Sequence, residues 1–373
     1  MNRYLYFAVF VSGMTTLAAE LTAARLLGNV FGTSNLVWAS IIGLILLYLT
    51  AGYFIGGRWA DRSPHNRTFY SIMAWGAFTV GLVPAVSRPL LLWAARGVAV
   101  LNAPVAGGAF IATLLIFVVP ITLLGCISPF AIRLVIRAVG ETGGVAGRVY
   151  AISTLGSLLG TFLPVLVLIP VLGTRLTYIA FAGALLLVAL AGLARADRRR
   201  ALLHSWMLPA LVALGLWSAS GAIKPIDGLL YETESAYNFI QVVQRGDTRY
   251  LLLNEGQGIH SVYTPGSPAT IPGGRGVWDY FLAGPFFNRP PFAPERVTSL
   301  ASIGLAAGTI PKQYTAVFGP IPIDGVEIDA QIVEVGRKYF AMTEPNINVI
   351  IGDGRAALVR SPSTYSVVAV DAY

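Results

Sequence analysis

Ile323-Asp-Gly-Val-Glu327-Ile-Asp329, followed by Ala330-Gln-Ile-Val-Glu-Val-Gly-Arg-Lys-Tyr-Phe340 and then Asn346-Ile-Asn-Val-Ile-Ile-Gly352-Asp353-Gly354, decides the fold of the C-terminal half. A short apolar run ends in two acids. A segment of helical period comes next, and a second apolar run ends in Gly-Asp-Gly. Upstream, 297–303 reads as another buried strand, and Gly304-Leu-Ala-Ala-Gly308-Thr as the turn after it. Strand, glycine turn, helix and strand ending in an acid is the β-α-β logic of a nucleoside-binding site. Gly304 and Gly308 let backbone approach a ligand closely. Glu327, about twenty residues after the turn, is placed to accept hydrogen bonds from ribose hydroxyls. Asp329, Asp353 and Gly354 complete the nucleoside-side group. The bland alternative is an α/β core whose carboxylates only cap strands and helices.

The 373 residues suffice for two folded units. Hydrophobic residues make up 55% and charged ones only 12%, with a mean hydropathy of +0.68, which excludes an ordinary soluble protein. The skew is uneven: apolar spans fill 1–221, and soluble-type composition follows. Seven spans are expected, at 4–27, 36–56, 69–95, 110–135, 149–172, 176–193 and 202–219. Most reach the roughly 20 residues that cross a bilayer, and the last, carrying Pro209, is the shortest. The first is read as a retained helix and not a cleaved signal.

Net charge is +8, but the arginines sit mainly in short loops between spans, so membrane orientation explains them better than nucleic acid does. Arg58, Arg62 and Arg67, then Arg133, Arg137 and Arg148, then Arg195 and Arg198–Arg200 mark one side as cytoplasmic; Arg88, Arg96 and Arg175 mark the poorer side. If all seven spans cross, the soluble part emerges outside. If the seventh lies in the interface, it stays inside. Glu20, within the first span, is an intramembrane functional candidate, with a structural partner role as the alternative. Gly156 and Gly160 form a small-xxx-small face for close helix packing. The single Cys126 excludes an internal disulfide, and none of the three histidines has ligand spacing, so no metal is expected.

After Lys224-Pro225, short β runs with Gly/Asp turns suggest a small antiparallel sheet, with strands leading from Tyr231 to Val243, over 248–253 and over 258–264. The stretch from Trp278 to Phe287 is helix-like. The expected organisation is a helical membrane domain over 1–221, a small β domain with a connecting helix over 222–288, and a partial nucleoside-type domain over 289–373.

Glu234-Ser-Ala-Tyr237-Asn-Phe-Ile240, Leu251-Leu-Leu-Asn254-Glu-Gly-Gln257, Val-Glu327-Ile-Asp329, Gly352-Asp353-Gly354 and Val370-Asp371 occur in the order found in spermidine synthases, and 229–373 resembles that family. The resemblance implies a small β domain followed by a methyltransferase-like Rossmann domain. It implies aminopropyl transfer from decarboxylated S-adenosylmethionine, a co-substrate and not a cofactor, to a diamine. Glu327 would bind ribose, Asp353 would face the adenine amino group, and Asp371 would orient and help deprotonate the attacking amine. Gln257 and Asp279 match substrate-side positions loosely. A homodimer is also implied. The membrane half is similar to that of bacterial proteins fusing a multi-span region to such a domain, which implies the bacterial inner membrane. Gly57-Arg-Trp-Ala-Asp61-Arg62 resembles a loop signature of major facilitator superfamily transporters.

Departures from the family are the turn at 304–309, which lacks its usual acid, and Asn254-Glu-Gly-Gln257 in place of an Asp-Gly pattern. The sheet type also requires further strands and helices after Asp371, so the domain is read as C-terminally incomplete. Two other readings stay open: a polyamine or small-solute transporter with a Rossmann-like sensing domain, and an S-adenosylmethionine-dependent methyltransferase.

Overall fold

The computed structural model describes residues 2–101, 104–136, 142–219, 221–254, 256, 258–267, 276–289 and 292–372. The chain divides into two compact units, Met1–Lys224 and Pro225–Tyr373.

The first unit is helical: α1 (Asn2–Phe31), α2 (Asn35–Arg62), α3 (Asn66–Leu101), α4 (Val105–Gly125), α5 (Ile127–Val135), α6 (Thr142–Leu163), α7 (Ile169–Ala196), α8 (Arg198–His204) and α9 (Met207–Ala219). Among the described residues, six helical runs are long and apolar enough to cross a membrane. The longest, Thr142–Ala196, includes a π-helical turn at Pro164–Leu168 and is interrupted at Gly173, whose φ of 78° is non-helical. It therefore comprises the two expected segments, 149–172 and 176–193.

Small residues set the closest helix contacts. A Cβ on Gly156 or Gly160 would lie 2.0 Å from the carbonyl oxygens of Phe10 and Met14, so the α1–α6 crossing needs glycine there. Gly52 and Gly56 do the same for α2 against Thr122, Gly125 and Cys126. The seventh segment is no outlier. Met207 and Leu211 are buried, and Leu211 packs against Gly81 of α3 and Gly183 of α7.

The second unit holds two four-stranded sheets. One is an antiparallel meander, β1 (Leu229–Glu234), β2 (Phe239–Arg245), β3 (Thr248–Leu253) and β4 (Ile259–Tyr263), in sequential order. The sequence suggested three strands here. The fourth arises because Ser235 and Asn238 close a tight turn, with the Asn238 N–H on Ser235 Oγ at 2.8 Å and the Ser235 N–H on the Asn238 carbonyl. That turn splits the run from Tyr231 to Val243 into two paired strands.

After α10 (Asp279–Ala283) comes the parallel sheet: β5 (Leu300–Ile303), α11 (Thr309–Phe318), β6 (Ile323–Glu327), α12 (Ala330–Tyr339), β7 (Ile347–Ile351), α13 (Gly354–Arg360) and β8 (Val367–Val370). Its order is β7-β6-β5-β8, with every pair parallel. β5 starts three residues later than the sequence suggests. The Thr298 and Ser299 amides are taken by the Ser366 hydroxyl, at 2.9 Å each, in place of ladder carbonyls. Buried Ile240, Val242 and Leu251 of the small sheet share one apolar cluster with Ala307, Ile332, Val335 and Phe340, which fixes the meander over the glycine turn and α12.

Candidate functional site

The strand order reverses between β6 and β8, on either side of β5. In open α/β sheets such a switch point leaves a crevice beyond the carboxyl ends of the strands. Here that edge carries the turn 304–308, the β6 tip at Glu327, the β7 tip at Gly352-Asp353 and the β8 tip at Asp371. The tips are tied by backbone: the Gly352 N–H bonds the Glu327 carbonyl at 2.9 Å, and the Asp371 N–H bonds the Ile303 carbonyl at 2.8 Å. Gly304, at φ 83°, lets the turn pass so close to β8 that a Cβ would sit 2.1 Å from the Asp371 carbonyl oxygen. Gly308, at φ 87°, likewise makes room for Met342.

All five amides of the turn are spent inside the protein. Gly304 and Leu305 donate to the Val326 carbonyl at 3.0 and 2.9 Å, and Gly308 to the Leu305 carbonyl at 3.0 Å. Ala306, held at φ 47°, donates to Glu327 Oε2 at 2.8 Å, and Ala307 to Ser261 Oγ at 3.0 Å. A phosphate-binding turn needs converging, unspent N–H groups. This turn presents none, and it places a carboxylate where an anion would have to sit.

Glu327 is only 7% exposed. Its Oε1 accepts the Asp329 N–H at 3.1 Å, leaving lone pairs on both oxygens for further donors. Burial pushes its carboxyl above the ordinary glutamate range, and the backbone N–H groups of Asp329 and Ala306 oppose that rise.

Asp329 is 2% exposed, and its carboxylate is committed within the fold. Oδ1 caps α12 through the Gln331 N–H at 3.1 Å, while Oδ2 accepts Ser235 Oγ at 2.5 Å and Asn238 Nδ2 at 3.0 Å. The hairpin turn of the small sheet is thereby tied to the β6 tip. Asp353 is exposed and caps α13 through the Ala356 N–H at 2.7 Å. It borders a cavity of 470 Å³ shared with Asp324, Asn348, Gly352 and Arg360. Gly354 packs over Ile303, where a Cβ would stand 2.4 Å from Cγ2.

Asp371 follows β8 directly and is half-buried. A second cavity, of 410 Å³, runs along β8 between Val367–Val370 and the side chains of Tyr280, Phe281 and Tyr314. Glu327 and Asp371 border neither of these two cavities, so among the described residues the strand tips share one edge while Asp353 alone of the three acids lines either space. Asp279 accepts Gln313 Nε2 at 2.7 Å and the Gly276 N–H at 3.0 Å, which joins α10 to α11. Gln257 lies outside the described residues. Glu20 is half-buried in α1.

Sequence reasoning missed the residues that hold the site together. Thr309 both donates to the Val262 carbonyl and accepts the Val262 N–H, and Ser261 holds Ala307, so β4 is clamped to the turn. Lys312, on α11, pairs with Glu344 and donates to the Ala341 carbonyl. Ser235 and Asn238 lay within a quoted motif, but only the fold shows that their partner is Asp329.

Fold and site define an open, doubly wound α/β sheet with an acid-lined switch point, preceded by an antiparallel meander. No protein-family profile matches the chain. In sequence it is similar to a probable polyamine aminopropyl transferase of Bifidobacterium longum (strain NCC 2705), at 30% identity over 177 residues, 44% of this chain and 36% of that protein. The chain thus spans about a third of the length of that curated relative. Among solved structures, a probable spermidine synthase from Corynebacterium glutamicum ATCC 13032 aligns with a TM-score of 0.32 and 19% identity, over 40% of this chain and 53% of that one.

Proposed function

We propose that the C-terminal unit binds an adenosyl sulfonium donor at the β5/β8 switch point and transfers its aminopropyl group to a diamine. The spent amides of the turn carry this reading. A turn whose 304–308 amides are all spent, with Glu327 beside it, disfavours phosphate-bearing nucleotides and suits a nucleoside whose other end is cationic. In this reading Glu327 accepts the ribose hydroxyls, and Asp353 reaches the adenine side. Asp329 acts by positioning, because its carboxylate already holds the small sheet. Asp371 receives the amine. The amine nitrogen attacks the carbon next to sulfur, the carbon–sulfur bond breaks, and its electron pair neutralises the sulfonium. The displaced proton leaves through Asp371. The meander clamped on the turn favours aminopropyl transfer over methyl transfer by the same nucleoside site. In the full chain, aminopropyl transfer in Asp371→Asn should fall about a hundredfold or more; an unchanged rate removes the assignment.

The helical unit is read as a bacterial inner-membrane domain. Its outward side chains are themselves apolar, Leu46, Leu47, Phe54, Leu158, Phe162 and Leu216 among them, where a water-soluble bundle would present polar groups. α9 lies along α3 and α7, which favours a crossing over an interfacial position. Seven crossings with the arginine-rich loops in the cytoplasm send the chain out on the opposite side.

A transport role is a second reading. Glu20 makes no hydrogen bond or ion pair among the described residues, and Asp61 braces α2 to α5 by pairing with Arg133 at 3.2 Å. Polyamine flux in vesicles that ignores Glu20→Gln would rule that reading out.

A further inference from the structure

At the end of the helical unit where α9 finishes, the bundle opens into a cavity of 530 Å³. Its walls are apolar on one side, from Pro84, Pro89 and Leu92 of α3 and Trp217 of α9, and cationic on the other, from Arg88 and Arg175. A narrow crevice adjoins it, lined again by Arg88 and Arg175 and also by Lys224. No Asp or Glu is among the described residues that line either space.

The three cations are not equivalent. Arg175 is fixed as a charge: Nη1 donates to the Ser218 and Gly221 carbonyls at 2.8 and 3.0 Å, and Nη2 to that of Ala222 at 3.0 Å. Lys224 donates to the Asn29 carbonyl at 3.5 Å. Carbonyl dipoles satisfy these groups without cancelling their charge. Arg88 is half-buried and makes no hydrogen bond or ion pair among the described residues, so its five N–H donors remain to be met. A guanidinium fork beside a second fixed guanidinium, with no Asp or Glu among the described lining residues, is matched by a phosphate monoanion taken bidentately. Trp217, 60% exposed beside the cavity, is the residue type that sits at headgroup depth, and the apolar wall suits an acyl chain.

We infer that this cavity is a phosphate-binding site, with Arg88 as the grasping residue and an anionic phospholipid headgroup as the ligand that its apolar wall favours. The lipid source rests on the membrane reading of the helical unit. The phosphate chemistry does not.

The test uses the full chain in detergent and native mass spectrometry, after equilibration with phosphatidylglycerol, with phosphatidylcholine, or with inorganic phosphate. Phosphatidylglycerol should be retained over phosphatidylcholine. Arg88→Gln should cut that retention about tenfold, the loss of one charge-assisted contact, while Arg88→Lys keeps part of it. Arg198→Gln, at the other end of the bundle, should change nothing. Inorganic phosphate that binds through Arg88 and displaces the lipid supports the same site with a free anion as its ligand. Equal retention of both lipids with no phosphate bound through Arg88, or retention indifferent to both Arg88 variants, overturns the inference. Release of the chain from membranes by alkaline carbonate would sink the membrane reading separately, and the inorganic phosphate arm would still judge Arg88.

Discussion

Glu327 Oε2 accepts the N–H of Ala306 at 2.8 Å, so the acid at the tip of β6 is held by the turn that follows β5. One contact links the two features that the sequence placed about twenty residues apart. It aims a buried carboxylate at the switch point and removes an amide that a phosphate would need.

Because burial raises the Glu327 carboxyl, pH acts on it with a definite sign. Between the ordinary glutamate value and the raised native value, the unfolded chain has released a proton that the folded chain keeps. Glu327's contribution to stability is therefore full below that window and is lost as pH rises through it. Ligand affinity should move the opposite way, since ribose hydroxyls are best accepted by the ionised form. Donor affinity measured against pH should rise through a transition above the usual glutamate range, and Glu327→Gln should abolish that transition.

Asp329 gives a test of positioning. Ser235→Ala removes one of the two side-chain donors to its buried Oδ2 and should cost about 1–3 kcal/mol in chemical denaturation. Asn238→Ala should cost a similar amount, with non-additivity in the double variant because both act on one oxygen. Additive, small effects would show that the hairpin turn is not what holds the β6 tip.

Gly304 cannot carry a side chain. Its φ of 83° alone disfavours alanine, by on the order of 1–3 kcal/mol, and the new Cβ would meet the Asp371 carbonyl oxygen. Gly304→Ala should therefore lower thermal stability and displace the β8 tip together. Gly246→Ala, at φ 59° with open space around it, should pay only the conformational part. Comparable losses in the two variants would mean that the close approach to β8 does not matter.

How much of this was legible in the sequence varies by element. The glycine turn, the acid after it and the two capping aspartates were visible because each is a local pattern: a turn needing positive φ, and carboxylates before helices α12 and α13. The interruption at Gly173 was visible as a gap between apolar spans. Other features depend on distant partners. Ser366 delays β5 from more than sixty positions away, and Ser235 and Asn238 reach Asp329 across more than ninety. Their side chains carry no local signal of those roles. The packing of α9 against Gly81 and Gly183 was equally hidden, since its composition alone left crossing and interfacial placements open.

That packing has a cellular consequence. A reporter active only outside the cytoplasm, joined after Tyr373, should be active, and one joined within the α7–α8 loop near Asp197 should be silent. Silence at both sites would show that the seventh segment fails to cross.

The most direct test of the account is equilibrium binding of 5′-methylthioadenosine and of ADP to the full chain, by calorimetry at neutral pH. The proposed donor site predicts that methylthioadenosine binds and that ADP binds far more weakly, with Glu327→Gln losing the former. ADP binding as well as methylthioadenosine, or methylthioadenosine binding untouched by Glu327→Gln, would contradict it.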